Sequence, residues 1–216
     1  MGCDHSGPHS GGCRYLPGPG QLSLVLVCER CGAERTELAT FDYRPRARRY
    51  LTHLVDLTAR ELGLSELQIP RVRLAAMICD LARDQIPEPI LNKRGALTED
   101  EWVEVRRQPE LAAAVLSGTS FDDIREWVLS LRERPDGTGY PRRLRGDEIP
   151  LEARILAVVE AYVAMTSDRP HRAAAGHDYA MRELLLCAGS QFDARVVHAF
   201  ERASMRRSFT LAALPA

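Results

Sequence analysis

The chain has 216 residues, with 29 basic and 30 acidic side chains and a formal net charge of −1. That balance gives no overall field to gather nucleic acid or an anionic membrane, so neither is expected as a partner and any basic surface is local. Hydrophobic residues at 45% and charged residues at 27% suit a soluble globular protein with enough apolar material for a core, not a disordered chain. No apolar run approaches the roughly 18 residues of a membrane span, and the first residues lack a basic start followed by an apolar stretch. The chain is therefore expected in the cytoplasm.

Four of the six cysteines, Cys3, Cys13, Cys28 and Cys31, lie at the N-terminus together with His5 and His9. Without a secretion signal, such clustering points to a metal rather than to disulfides. Cys28-Glu29-Arg30-Cys31-Gly32 has the spacing at which two thiolates grip one zinc ion while the glycine turns the backbone tightly. Between Cys13 and Cys28, RYLPGPGQLSLVLV holds two strand-like runs around a Pro-Gly-Pro-Gly turn, a hairpin that brings Cys13 near Cys28. The fourth ligand is His9, or else Cys3 or His5 of a competing C-x-H pair. The segment resembles a zinc ribbon, although a regular second C-x-x-C is missing, and a closed four-ligand site makes its zinc structural. Arg14, Arg30 and Arg35 are interleaved with Glu29, Glu34 and Glu37, so this head is expected to contact protein rather than nucleic acid.

Helical patterning begins near Arg46. Leu51, Leu54, Val55, Thr58 and Leu62 form one face, ended by Gly63. Arg71 to Asp84 carries a wide apolar stripe; Thr98 to Glu101 is a capping box for a helix through Arg107; Pro109 to Leu116 forms another helix, stopped by Gly118. Ser120 with Asp123 caps a helix running to about Arg134. Pro150 opens a long helix through Thr166, and Asp178 to Leu186 and Asp193 to Ala203 complete the set. The expected fold is all-α, a compact helical bundle over residues 41–216, with a small zinc-ribbon-like β-hairpin in residues 1–40.

The stretch from Glu133 to Arg172, which contains DGTGYP and TSDRPHR, resembles the signature region of HD-GYP domains, bacterial all-helical hydrolases associated with cyclic di-GMP. The segments around CDLARD and GSQFDARVVHAF fit the rest of that pattern, so the resemblance runs over residues 46 to 202. It implies the HD-type bundle and a cluster of two or three metal ions, commonly iron or manganese, held by imidazoles and carboxylates from several helices.

This chain departs from that pattern at the ligand positions. The family's His-Asp pair is Cys79-Asp80, and its Gly-Lys is Ala82-Arg83. The histidine before a proline is Gln108, and the His-His pair is Leu131 and Arg132, leading into Glu133. The aspartate of the long helix is Glu160, and the next one is Val163. Leu131 cannot ligate, Gln108 is a weak donor, and the permanent cation of Arg132 repels divalent ions and can pair with Asp80 or Glu160. One ion held by Cys79, Asp80 and Glu160 is conceivable, while the simpler role for Cys79 is a small buried core residue. No metal is expected in this pocket.

Asp136, Gly137, Gly139, Tyr140 and Pro141 of the loop are retained, as are Arg169 and Arg172, which the resemblance sets near bound phosphate. The loop is then a turn, a ligand or partner surface, or both; diguanylate cyclase domains and other signalling proteins are the partners the resemblance implies. The head either packs on the bundle or extends a homodimer interface. The leading expectation is a catalytically degenerate protein that binds cyclic di-GMP or scaffolds nucleotide signalling. The alternatives are an active cyclic di-GMP phosphodiesterase with a rearranged metal site, and a zinc-ribbon docking module.

Overall fold

The computed structural model describes residues 11–18, 21–27, 34–40, 45–83, 85–117, 119–168 and 173–206, with side chains for those between residues 50 and 205. The ligands assigned to the head, Cys3, His5, His9, Cys28 and Cys31, lie outside the described residues, and Cys13 is described in its backbone alone. The backbone of the head runs as three antiparallel strands in the order β1 (Gly11–Gly18), β2 (Gln21–Val27) and β3 (Glu34–Thr40), with Gly18 opposite Gln21 and Val27 opposite Glu34.

From residue 45 onward the described chain is helical: α1 (Pro45–Glu61), α2 (Gln68–Arg83), α3 (Glu88–Leu91), α4 (Glu99–Arg106), α5 (Gln108–Val115), α6 (Asp122–Leu129), α7 (Leu151–Thr166), α8 (His177–Leu186) and α9 (Ala194–Arg206). No helix among the described residues is long and apolar enough to cross a membrane. The short α3 lacked a periodic signal; it is a single turn nucleated by Pro87 and the pairing of Asn92 with Glu88.

The second helix organises the core. Ile69, Val72, Leu74, Met77, Ile78 and Leu81 are buried together with Ala75, Ala76, Cys79 and Ala82, so apolar residues occur around almost its whole circumference, as a central helix requires. Its small residues let α1, α5, α6 and α7 approach it closely. Against α7 the Tyr162 ring meets Phe200 of α9 with centroids 4.9 Å apart, an aromatic pair in the favourable tilted geometry.

Local chemistry sets the helix ends. At the end of α1, Gly63 takes φ +79°, and the bonds Leu64 N–H to Ala59 O and Gly63 N–H to Arg60 O form a Schellman close. Thr98 and Glu101 form the expected capping box of α4. The expected cap of α6 is different. Its N-cap is Phe121, without a side-chain bond, because the Asp123 carboxylate is taken by Arg71 of α2, whose guanidinium also lies 5.3 Å from the Phe121 ring centre. The helix also stops at Leu129 rather than near Arg134: Glu133 N–H bonds back to Ser130 O, and the turn drives Leu131 into the core.

Candidate active site

Four pieces of chain meet at the C-terminal half of α2. Cys79 and Asp80 come from α2 itself, Gln108 from the first position of α5, Arg132 from the turn after α6, and Glu160 from the middle of α7. Gln108 is almost fully buried and joins the pieces. Its Nε2 donates to the Cys79 carbonyl at 3.1 Å, while its Oε1 accepts from Arg132 Nη2 at 2.6 Å and Nε at 3.3 Å. The same Nη2 reaches Glu160 Oε2 at 3.3 Å. Glu160 Oε1 is buried with no hydrogen-bond partner among the described residues, an arrangement that costs free energy until a ligand or water supplies a partner. Asp80 faces Arg83 at 3.9 Å. Asp80, Arg83, Gln108, Arg132 and Glu160 line one cavity of about 150 Å³.

Burial shapes the titration of this site. It raises the Glu160 carboxyl above its ordinary range, and neighbouring Asp80 raises it further while Arg132 opposes. Burial likewise pushes the Cys79 thiol well up, and the Glu160 and Asp80 charges reinforce the shift. Cys79 is completely enclosed in the core cluster, so the core role fits it and the thiolate-ligand role does not.

Leu131 is also core, 1% exposed, and offers no donor. Glu133 belongs to another job. Its side chain turns into the loop, where Oε1 accepts Arg142 N–H at 2.6 Å and Oε2 accepts Leu144 N–H at 2.9 Å. A buried carboxylate satisfied by two backbone donors is a clamp for the loop that follows. Replacing it as Glu133→Gln leaves one of those N–H groups facing an NH₂, so a loss of about 2 kcal/mol is expected, read as a lower denaturant midpoint at unchanged m-value.

The loop itself packs back on the same turn. Tyr140 N–H bonds to Arg132 O at 3.1 Å, Asp136 Oδ1 accepts both the N–H and hydroxyl of Thr138, and Asp136 N–H reaches Ser190 O. Gly137 has φ +78°, and the Tyr140-Pro141 peptide is cis. Tyr140, Arg132, Glu133 and Arg134 line a second cavity of about 430 Å³ with Trp102, Gln191 and Phe192. Arg132 thus stands in the wall of both cavities. Trp102 and Phe192 carried no signal in the sequence; one lies on an exposed helix face and the other on an irregular turn before α9. Arg169 and Arg172 lie outside the described residues.

The family's metal cluster does not fit these residues. Among the described residues no three His, Cys, Asp or Glu side chains gather where they could share an ion, which removes the single-ion arrangement of Cys79, Asp80 and Glu160. Where two imidazoles are implied, the chain has a buried leucine and a guanidinium already bonded to Gln108 and Glu160.

A family model described as HD domain matches residues 30–196. The chain belongs to the HD domain family. Among curated relatives, this HD domain is 41% identical over 155 residues to the cyclic di-GMP phosphodiesterase response regulator RpfG of Xanthomonas campestris, covering 70% of this chain and 41% of that protein. It is 34% identical to a cyclic di-GMP phosphodiesterase of Thermotoga maritima, covering 66% and 39%. The chain thus spans about two fifths of the length of these relatives. Two solved structures share the HD fold: a cyclic GMP-AMP specific phosphodiesterase of Vibrio cholerae, with TM-score 0.55, 16% identity, 77% of this chain and 45% of that one; and an HDGYP protein of Bdellovibrio bacteriovorus, with TM-score 0.60, 14% identity, 72% and 50%. These relatives correct the leading functional expectation. The relatives at 41% and 34% identity are named phosphodiesterases, which favours the active alternative over a catalytically degenerate binding protein.

Proposed function

We propose that this HD domain is a cyclic dinucleotide phosphodiesterase, with cyclic di-GMP as its first candidate substrate. The observation that supports it most is the pairing of two carboxylic side chains and two guanidiniums around one cavity, in a chain whose relatives are named for this reaction. Hydrolysis adds water across one phosphodiester. An oxygen–phosphorus bond forms to water, the bond to the ribose oxygen breaks, and that oxygen leaves with a proton. In this reading Asp80 receives a proton from the attacking water. Glu160, which burial keeps protonated to higher pH, delivers one to the leaving oxygen. The larger cavity beside Arg132, with Trp102, Tyr140 and Phe192 in its walls, takes a purine base by stacking.

The test is product analysis. The full chain is incubated with cyclic di-GMP and separately with cyclic GMP-AMP, with and without manganese or iron, and the nucleotides are resolved by chromatography and mass spectrometry. A linear dinucleotide or mononucleotide is the expected product. Intact substrate after prolonged incubation with stoichiometric protein sinks the proposal.

A further inference from the structure

The mismatch between this donor set and a metal cluster has a positive side, which rests on the phosphodiesterase reading of the same cavity. We infer that Arg132, assisted by Arg83, is the built-in cation of this site and binds the phosphate of the ligand directly, so that ligand binding needs no divalent metal.

Three observations carry this. Arg132 is positioned rather than loose: Gln108 Oε1 accepts from both its Nε and Nη2, and Gln108 is itself anchored on the Cys79 carbonyl of the central helix. A guanidinium fixed in this way loses little freedom when it takes up a phosphate, and its fork geometry matches two phosphate oxygens. Its Nη1 makes no hydrogen bond to another described residue, so donors remain to be used. Arg83, across the same cavity, has Asp80 at 3.9 Å as its nearest ion-pair partner among the described residues, beyond hydrogen-bond reach, and makes no side-chain hydrogen bond to another described residue.

The charge balance agrees. Among the described residues two permanent cations face two carboxylic side chains, and one of these, Glu160, is buried with an oxygen that has no partner there. A divalent ion brought here would meet the Arg132 cation within the first contact distance of Glu160, whereas an anion meets it as a partner. A ribose hydroxyl or a water carried in with the ligand also supplies the hydrogen-bond partner that Glu160 Oε1 lacks among the described residues.

Calorimetric titration of the full chain with cyclic di-GMP, first in excess EDTA and then in manganese, tests this. The expected result is an affinity that changes less than twofold between the two conditions. It should fall at least tenfold in Arg132→Gln and in Arg83→Gln, with Arg132→Lys recovering part of the loss. Thermal melts of each variant show that the fold is retained; should Arg132→Gln fail to fold, Arg83→Gln, on the exposed edge of α2, reads the same property. Binding that vanishes in EDTA and returns with manganese overturns the inference, as does undiminished binding in both glutamine variants. Metal-free binding without product would leave the arginine anchor standing and remove the phosphodiesterase reading; turnover that appears only with metal-dependent binding would do the reverse.

Discussion

Gly139→Ala is expected to destabilise the domain by about 3 kcal/mol, enough to remove a large part of the margin of an ordinary domain. A Cβ built at this position lies 2.5 Å from Glu133 Cα and 2.7 Å from Arg132 O, and closer still to Arg134 N. All three are backbone atoms of the turn that presents Arg132, so no side chain can swing aside to make room. The turn must move, and with it the Tyr140 N–H to Arg132 O bond and the guanidinium that bonds Gln108 and Glu160. Chemical denaturation measures the stability loss, and ligand titration on whatever remains folded should show weaker binding. Gly137→Ala, which meets the Arg145 side chain instead, has a neighbour that can yield in part; its cost comes more from φ +78° and should be smaller. Equal stability of Gly139→Ala and wild type would show that the loop does not pack as described.

Asp193→Ala has a comparable effect from a different cause. Arg154 of α7 is 8% exposed and bonds Asp193 at 2.6 Å, just before α9, and Asp147 at 2.8 Å. Its Nε is buried without a partner among the described residues. Taking away Asp193 leaves a buried guanidinium with only the exposed Asp147 to neutralise it. Breaking one side of a buried pair costs roughly 3–5 kcal/mol, and the lower end is expected here because Asp147 remains. The pH dependence has a definite sign. Burial raises the Asp193 carboxyl, but the Arg154 bond and the Arg195 and Val196 amides outweigh it, so its folded pKa lies below the ordinary value. A depressed carboxylate contributes stability above its unfolded pKa, about 3.9, and loses it as pH falls through the folded one. Melting temperatures of wild type and Asp193→Ala should therefore differ most near neutrality and converge as the pH drops below about 4. A gap that stays constant down to acid pH would show that the ion pair is not its source.

Much of the helical body was legible because it rests on short-range rules. The face of Leu51, Leu54, Val55 and Thr58 and the stripe of α2 follow from a 3.6-residue period, and the ends at Gly63 and Thr98 follow from αL and capping chemistry that needs only a few residues. Asp123 shows where that reasoning stops. It has the right type and place for a cap, yet a guanidinium 52 residues earlier in the chain takes it, and nothing local reveals such a competitor.

The site divides in the same way. Sequence by itself determined the HD-type pattern and the presence of Leu131 and Arg132 where the resemblance implies imidazoles, because those depend on residue identity alone. Only the tertiary structure decided what became of each substitute. Leu131 and Cys79 went into the core. Glu133, adjacent to Arg132 in the chain, turned to the backbone of the loop, while Gln108 and Glu160, distant in sequence, closed on Arg132. Side-chain direction after a turn depends on which buried polar groups still lack partners, and that is a property of the packed molecule rather than of any segment.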